Sequence, residues 1–228
     1  MKFVLFMMLA YLLGSIPFGI IFGKLFKGID IRAHGSGNIG AANAFRALGP
    51  AGGVTVLLGD MAKGLIPVTC ACYFATGELL YYLQVLSGIT SILGHNYSVF
   101  LRFKGGKGIA TSFGVIIALN WKIALICLVV WGLMVLITRY SSLGSLAGSF
   151  MLPVLMAVFK EPLPYTIFGI IACLFAFHAH RGNIKRLIEG KELKITEKMG
   201  KGQEEKDAAK PEENPAHLHN EQVSGTVE

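Results

Sequence analysis

The chain has 228 residues, 53% of them hydrophobic and only 15% charged, with a mean hydropathy of +0.57. That composition excludes an ordinary soluble domain and fits a polytopic membrane protein. The net charge of +7 is unevenly placed, with a balance of +11 over residues 1–188 and −4 over residues 189–228; a basic apolar body of this kind suits anionic lipid or anionic substrates better than nucleic acid.

The first apolar run is Phe3 to Phe22, about the length that crosses a bilayer. It is read as a retained span, because no small-residue cleavage pattern follows it. Pro17 removes a backbone donor and Gly14, Ser15 and Gly19 permit close packing, so a kink is expected there. Residues 24–50 are polar, basic and glycine-rich. The second span is placed at about Gly52–Ala75, with Asp60 and Lys63 on one helix face at i,i+3 and able to pair. The third covers about Leu79–Tyr97. A polar loop follows, and then Ile109–Leu119, which is too short to cross alone unless its ends dip into protein. Ile123–Thr138, Leu143–Phe159 and Pro164–His178 are the fifth to seventh runs.

The fold class is therefore all-α, a transmembrane helix bundle of about seven spans. Five spans plus re-entrant segments is the rival arrangement. Seven crossings put 11 Lys and Arg of the loops on one side and 3 on the other. Positive residues favour the cytoplasm, so the N-terminus is expected outside and the C-terminus inside. The transmembrane domain is taken as residues 1–196. Residues 197–228 are too charged and too poor in large apolar side chains to order themselves, and are expected to form a disordered cytoplasmic tail.

Three polar stretches carry the chemistry, all on the expected cytoplasmic side. The first is Gly35-Ser36-Gly37-Asn38-Ile39-Gly40 with Asn43 and Arg46. It matches G-x-G-x-x-G, and Asp60 even falls twenty residues later. A membrane span precedes it, however, where the dinucleotide fingerprint needs a strand and a βαβ unit. What remains is local: glycines that can bare backbone donors, polar side chains, and an arginine fork that suits phosphate. The plainer alternative is a tight glycine turn between helices.

The second stretch is Arg102 to Gly108, where Lys104 and Lys107 interleave with Gly105, Gly106 and Gly108 at the start of an apolar segment. A helix N-terminus there would be a ready anion site. It is not a P-loop, which would need glycine at position 101 and Ser or Thr at 108, where this chain has Leu101 and Gly108. Its alternative is a basic loop that only sets orientation. The third stretch is His180-Arg181-Gly182-Asn183, with His180 and Asn183 one turn apart. A histidine at a helix end can equally be a cap. Ser142, after Arg139-Tyr140, is a smaller fourth piece.

No carboxylate cluster for Mg²⁺, no Cys/His metal spacing and no G-x-S-x-G elbow is present, so neither metal nor cofactor is expected. The four cysteines lie in apolar runs and read as small hydrophobes. His217-x-His219 in the tail reads as incidental. The chemistry allowed is the binding of phosphoryl groups and transfer between them. A transporter of an anionic solute is the alternative from another class, but no internal repeat is visible and the polar motifs gather near one membrane face.

With GSIPFG (14–19), GSGNIGAANAFR (35–46), DMAKG (60–64), LGHNYSVFLRFKGGKGIAT (93–111), RYSSLGS (139–145) and HAHRGNIKRL (178–187), the chain resembles the bacterial acyl-phosphate-dependent glycerol-3-phosphate acyltransferases. The resemblance covers nearly all of residues 3–195 and departs at Ala42, where that family usually has threonine. It implies an inner-membrane enzyme whose site faces the cytoplasm. The enzyme would move a fatty acyl group from acyl phosphate to the sn-1 hydroxyl of glycerol 3-phosphate, giving lysophosphatidic acid and phosphate. A soluble enzyme that makes acyl phosphate is then a candidate partner. By the same resemblance Ser36, Arg46, Lys104 and Ser142 would hold phosphoryl oxygens. Asn38, Lys107, His180 and Asn183 would complete the acceptor pocket, with Gly37, Gly105 and Gly106 in the two glycine loops. His180, Lys104 and Arg46 are the candidate catalytic groups. The base for the attacking hydroxyl is either His180 or a substrate phosphate oxygen.

Overall fold

The computed structural model describes residues 1–195, so the expected tail at 197–228 lies outside the described residues. These residues form an all-α fold, with α1 (Lys2–Ser15), α2 (Phe18–Lys27), α3 (Ala41–Cys70), α4 (Glu78–Asn96), α5 (Ile109–Leu119), α6 (Trp121–Thr138), α7 (Ser141–Val158), α8 (Leu163–Ala179) and α9 (Arg181–Ile188).

The first apolar run is broken where Pro17 predicts. Ile16 leaves the helical region at φ −58, ψ 120, and α2 restarts at Phe18. The carbonyls freed by the break need donor partners in a setting without water. Ser98 Oγ donates to the carbonyl of Ser15 at 2.6 Å, and Lys63 Nζ donates to that of Ile16 at 2.9 Å.

The segment 41–48, expected as loop, is helical. Gly49 then takes φ 84, ψ −175 ahead of Pro50, so α3 is two helices joined by a sharp kink. A residue before proline is driven from the helical region, and glycine alone enters the left-handed one without strain. The short first part buries Ala44, Ala47 and Leu48 against Ile31 and Val56, which is why a sequence of small residues becomes helix here.

Helices cross closely where glycines face backbone. A Cβ on Gly14 would lie 2.2 Å from the carbonyl oxygen of Ser91, and one on Gly94 would lie 2.3 Å from that of Tyr11, which sets α1 against α4. Gly64 and Gly114 do the same between α3 and α5, against the carbonyls of Thr111 and Met61. Small residues at crossings are the usual means of packing helices in lipid. The main core lies between α4, α5, α6, α7 and α8, around Ile92, Val115, Ile123, Leu152, Met156 and Phe168.

Four stretches among the described residues are long and apolar enough to cross a bilayer: 2–27, 41–73, 121–138 and 141–158. α8 and α9 add a fifth if read as one span bent by 58°. α4 falls outside this count because Gln84, Ser87, Ser91 and His95 dilute its hydropathy, and α5 because it has only 11 residues. Asn120, which caps α6, donates to Glu161 at 2.6 Å, so the α5–α6 and α7–α8 connections lie together.

Candidate active site

The polar motifs that are far apart in sequence meet around one cavity of about 280 Å³. Its polar wall includes Ser36, Asn38, Arg46, Lys107, Ser142, His180 and Asn183; its apolar wall includes Phe113, Ile116, Leu128, Trp131, Leu152 and Ala172. First-turn residues of α3 (Ala41, Ala42, Asn43), α5 (Ile109, Ala110, Ser112), α7 (Ser141, Ser142) and α9 (Asn183) line it together. Four helix N-termini therefore converge, each with partial positive charge and amides that have no partner within the helix. Arg46, Lys107 and Arg186 add full positive charges to the same wall.

Lys107 donates to Asn183 Oδ1. Burial, together with the nearby cations Arg186 and Arg46, lowers its pKa to about 8, against the pull of Glu192. His180 is buried, and its Nδ1 lies 2.8 Å from the carbonyl oxygen of Ala176. In the neutral ring Nδ1–H donates to that carbonyl, which leaves the Nε2 lone pair as the free acceptor. Burial first, and then the Lys107 charge, push the His180 pKa down to about 4, so the ring is neutral at pH 7.

The structure brings Ser36, Asn38, Arg46, Lys107, Ser142, His180 and Asn183 to the cavity wall. Gly37, Lys104, Gly105 and Gly106 are not among its lining residues. Lys104 is exposed. The amides of the three glycines donate to protein carbonyls: Gly37 to His34, Gly105 to Asn96 and Gly106 to His95, each at 3.0 Å. Asn43, expected to offer its amide to an anion, is buried and ties the loop instead. Its Nδ2 donates to the carbonyls of Ile31 and Asn38, while its Oδ1 accepts from the Ser36 amide. Ala42 lines the cavity, at the position where the resemblance leads one to expect threonine.

Several wall residues escape sequence reasoning. Glu192 accepts from Ser142 Oγ at 2.7 Å, from Asn183 Nδ2, and from Arg186 Nε at 2.8 Å. Its carboxylate thus occupies donors expected to serve a phosphoryl group. Those hydrogen bonds and the Arg186 charge hold its pKa below the usual range, against the opposing effect of burial. Arg46 donates to the carbonyls of Leu193 and Lys194 at 3.2 and 3.3 Å. Asp60 and His95 also line the cavity although both are buried. The i,i+3 pair expected in α3 is present, with Lys63 Nζ 2.9 Å from Asp60 Oδ1. Among the described residues no group of three His, Cys, Asp or Glu is placed to hold a metal ion.

The family model described as glycerol-3-phosphate acyltransferase matches residues 4–190. A glycerol-3-phosphate acyltransferase of Trichormus variabilis is 43% identical over 204 residues, 83% of this chain and 90% of that protein. One from Carboxydothermus hydrogenoformans is 42% identical over 194 residues, 85% of this chain and 97% of that protein. Among solved structures, the chain is similar to PlsY (YgiH), an integral membrane glycerol 3-phosphate acyltransferase, in its glycerol 3-phosphate form. The TM-score is 0.80 at 38% identity, covering 85% of this chain and 96% of that one. The lysophosphatidic acid form of the same enzyme gives a TM-score of 0.79 at 38% identity, covering 85% and 95%.

Proposed function

Since the chain belongs to the glycerol-3-phosphate acyltransferase family of integral membrane enzymes, we propose that its acyl donor is acyl phosphate and its acceptor atom the sn-1 hydroxyl of glycerol 3-phosphate. The products are then lysophosphatidic acid and phosphate. The observation that supports this reading is one cavity with two characters: a cationic end where four helix N-termini meet, and an apolar end lined by Phe113, Ile116, Leu152 and Ala172. The first suits phosphoryl groups and the second an acyl chain. A transporter of anionic solutes has no use for that apolar end.

The basic loops set the orientation, with the N-terminus outside, the cavity facing the cytoplasm and seven crossings that include α4 and α5. In a bacterium the membrane is the inner one, next to the soluble enzyme that would supply acyl phosphate.

Acyl phosphate is an activated mixed anhydride. The acceptor oxygen attacks the acyl carbon, the carbon–oxygen bond to phosphorus breaks, and phosphate leaves with the electron pair. Positioning and charge stabilisation carry most of such a step. Ser36, Arg46 and Ser142 hold phosphoryl oxygens. Lys107 and Asn183, already joined, hold the acceptor's phosphate, with Asn38 beside them. Lys104 meets a phosphate at the cavity rim, and Gly37, Gly105 and Gly106 shape the two loops ahead of α3 and α5. His180 accepts a hydrogen bond from the attacking hydroxyl at Nε2. With its pKa near 4 it is a weaker base than a phosphate oxygen, whose second pKa is about 6. The proton therefore passes to a phosphoryl oxygen, and His180 orients the hydroxyl.

The test is product formation by purified protein with glycerol 3-phosphate and, in turn, acyl phosphate, acyl-CoA and acyl carrier protein donors. Lysophosphatidic acid from acyl phosphate alone is expected. Equal rates from acyl-CoA would overturn the donor assignment.

A further inference from the structure

The proposed reaction leaves without a role a buried cluster of three ionisable groups among the described residues: Asp60 and Lys63 on α3, and His95 in the last turn of α4. Each is at most 3% exposed. Charged groups at such depth are rare unless they serve function. Lys63 is anchored by Asp60 and by the carbonyl of Ile16. His95 turns Nδ1 toward Asp60 Oδ1, at 3.6 Å. The opposite side of its ring lies under the glycine loop. A Cβ on Gly106 would fall 2.1 Å from His95 Nε2, and one on Gly105 would fall 1.9 Å from the His95 carbonyl oxygen. That carbonyl accepts from the Gly106 amide at 3.0 Å, and the Asn96 carbonyl accepts from the Gly105 amide at 3.0 Å. Both glycines lie outside the left-handed φ region. They are required by the surface beneath them, not by the conformation of the loop. The next residue is Lys107, whose ammonium reaches Asn183 in the cavity wall.

We propose that His95, which faces Asp60 across the helix crossing, is a positioning residue: its imidazole is the platform on which Gly105–Gly106 rests, and so fixes where Lys107 meets the phosphate of glycerol 3-phosphate. The inference rests on the acceptor assignment above. It explains why an Asp–Lys–His cluster stays buried at a helix crossing, and why two glycines precede the cavity lysine.

An exchange of volume tests it. Gly106→Ala pushes a methyl group into the ring. His95→Ala removes the ring and lets the loop sink. Each single change is expected to raise the KM for glycerol 3-phosphate by about tenfold or more, as a misplacement on the order of 1 Å does, with the KM for the acyl donor little changed. The double variant places the new methyl group where the ring was, and is expected to bind glycerol 3-phosphate better than either single one. Asp60→Asn, which loosens the ring without removing it, shifts the same KM upward by less. Affinity is also measured without chemistry, by titrating glycerol 3-phosphate into each purified variant without donor. Should His95→Ala fail to fold, His95→Ser takes its place in the cycle. A double variant whose loss equals the product of the single losses overturns the platform role, because the two sites would then act independently. Wild-type protein that takes up no glycerol 3-phosphate in the same titration overturns the acceptor assignment instead.

Discussion

Lys107 offers a prediction in which activity and stability move in opposite directions. Its ammonium sits in the cavity wall with its pKa lowered to about 8. At pH 7 it is mostly charged, and above pH 8 it is mostly neutral and no longer attracts phosphate. The pH dependence of kcat/KM reports the free enzyme. For glycerol 3-phosphate it should therefore bend down near pH 8 and fall about tenfold per further unit, each unit being about 1.4 kcal/mol. The sign for folding is the reverse. The folded state binds fewer protons than the unfolded state between pH 8 and the ordinary lysine value of about 10.4, so this group's contribution to stability rises with pH across that window. A loss of activity there is thus not caused by Lys107 unfolding the protein. In Lys107→Arg the guanidinium stays charged throughout, and the limb at pH 8 should disappear even if the plateau is lower. The assay is initial-rate kinetics from pH 6 to pH 10, with spontaneous donor hydrolysis subtracted and thermal unfolding recorded at each pH. A flat wild-type profile to pH 10, or an unchanged limb in Lys107→Arg, would refute the assignment of Lys107 to phosphate binding.

Arg46→Ala should insert and fold yet lose about a hundredfold or more in turnover, roughly 3 kcal/mol of charge stabilisation, and Arg46→Lys should recover only part, since a point charge does not replace a fork. Lys104→Ala should be milder, because an exposed cation contributes about 1 kcal/mol or less; a few-fold rise in the donor KM that shrinks with added salt is expected, with Lys122→Ala as the neutral control, and a hundredfold loss would mean that Lys104 enters the cavity. Reporter fusions at Gly77 and Glu161 should read outside and one at Lys104 inside, and Glu161 reading inside would rule out seven crossings. A chain ending at Glu197 should keep nearly full turnover by virtue of the composition beyond it; loss of most activity in an inserted protein would show that the tail contributes.

Much of this site is legible because its parts are local. Glycine next to basic or polar residues marks the starts of α3, α5 and α9, and Ser142 follows Arg139 at the start of α7. Charge asymmetry then places all four on one side. The ion pair of Asp60 with Lys63 follows from helix spacing alone. What is not legible depends on who meets whom. Asn43 reads as one more donor beside Ser36, and only the folded loop shows its amide bound to Ile31 and Asn38. Gly105 and Gly106 of the second loop read as donors to a ligand, yet their amides donate to carbonyls of α4. Glu192 carries no periodic or motif signal, nine residues beyond Asn183, and its place against Ser142 is a contact across the fold. His95 lies in an apolar run whose spacing says nothing of the loop it supports. The segment 41–48 becomes helix through burial of Ala44 and Ala47, which tertiary packing decides and composition does not.

The apolar wall of the cavity has a consequence for how rates should be counted. Leu128 belongs to that wall and is nevertheless 43% exposed, on a helix that also leaves Leu125, Val129, Leu133 and Leu136 uncovered. On a helix of this composition that uncovered side meets lipid tails, so the cavity borders the bilayer as well as the water. A donor with a long acyl chain arrives along the membrane plane, and the supply that governs its capture is moles per mole of lipid. The acceptor arrives from solution at moles per litre. Adding inert lipid at fixed bulk donor should then slow the enzyme by surface dilution, while adding buffer at a fixed lipid ratio should dilute only the acceptor. An acyl chain held against that wall lies next to the bilayer, so the acylated product leaves by lateral diffusion and requires no passage through water.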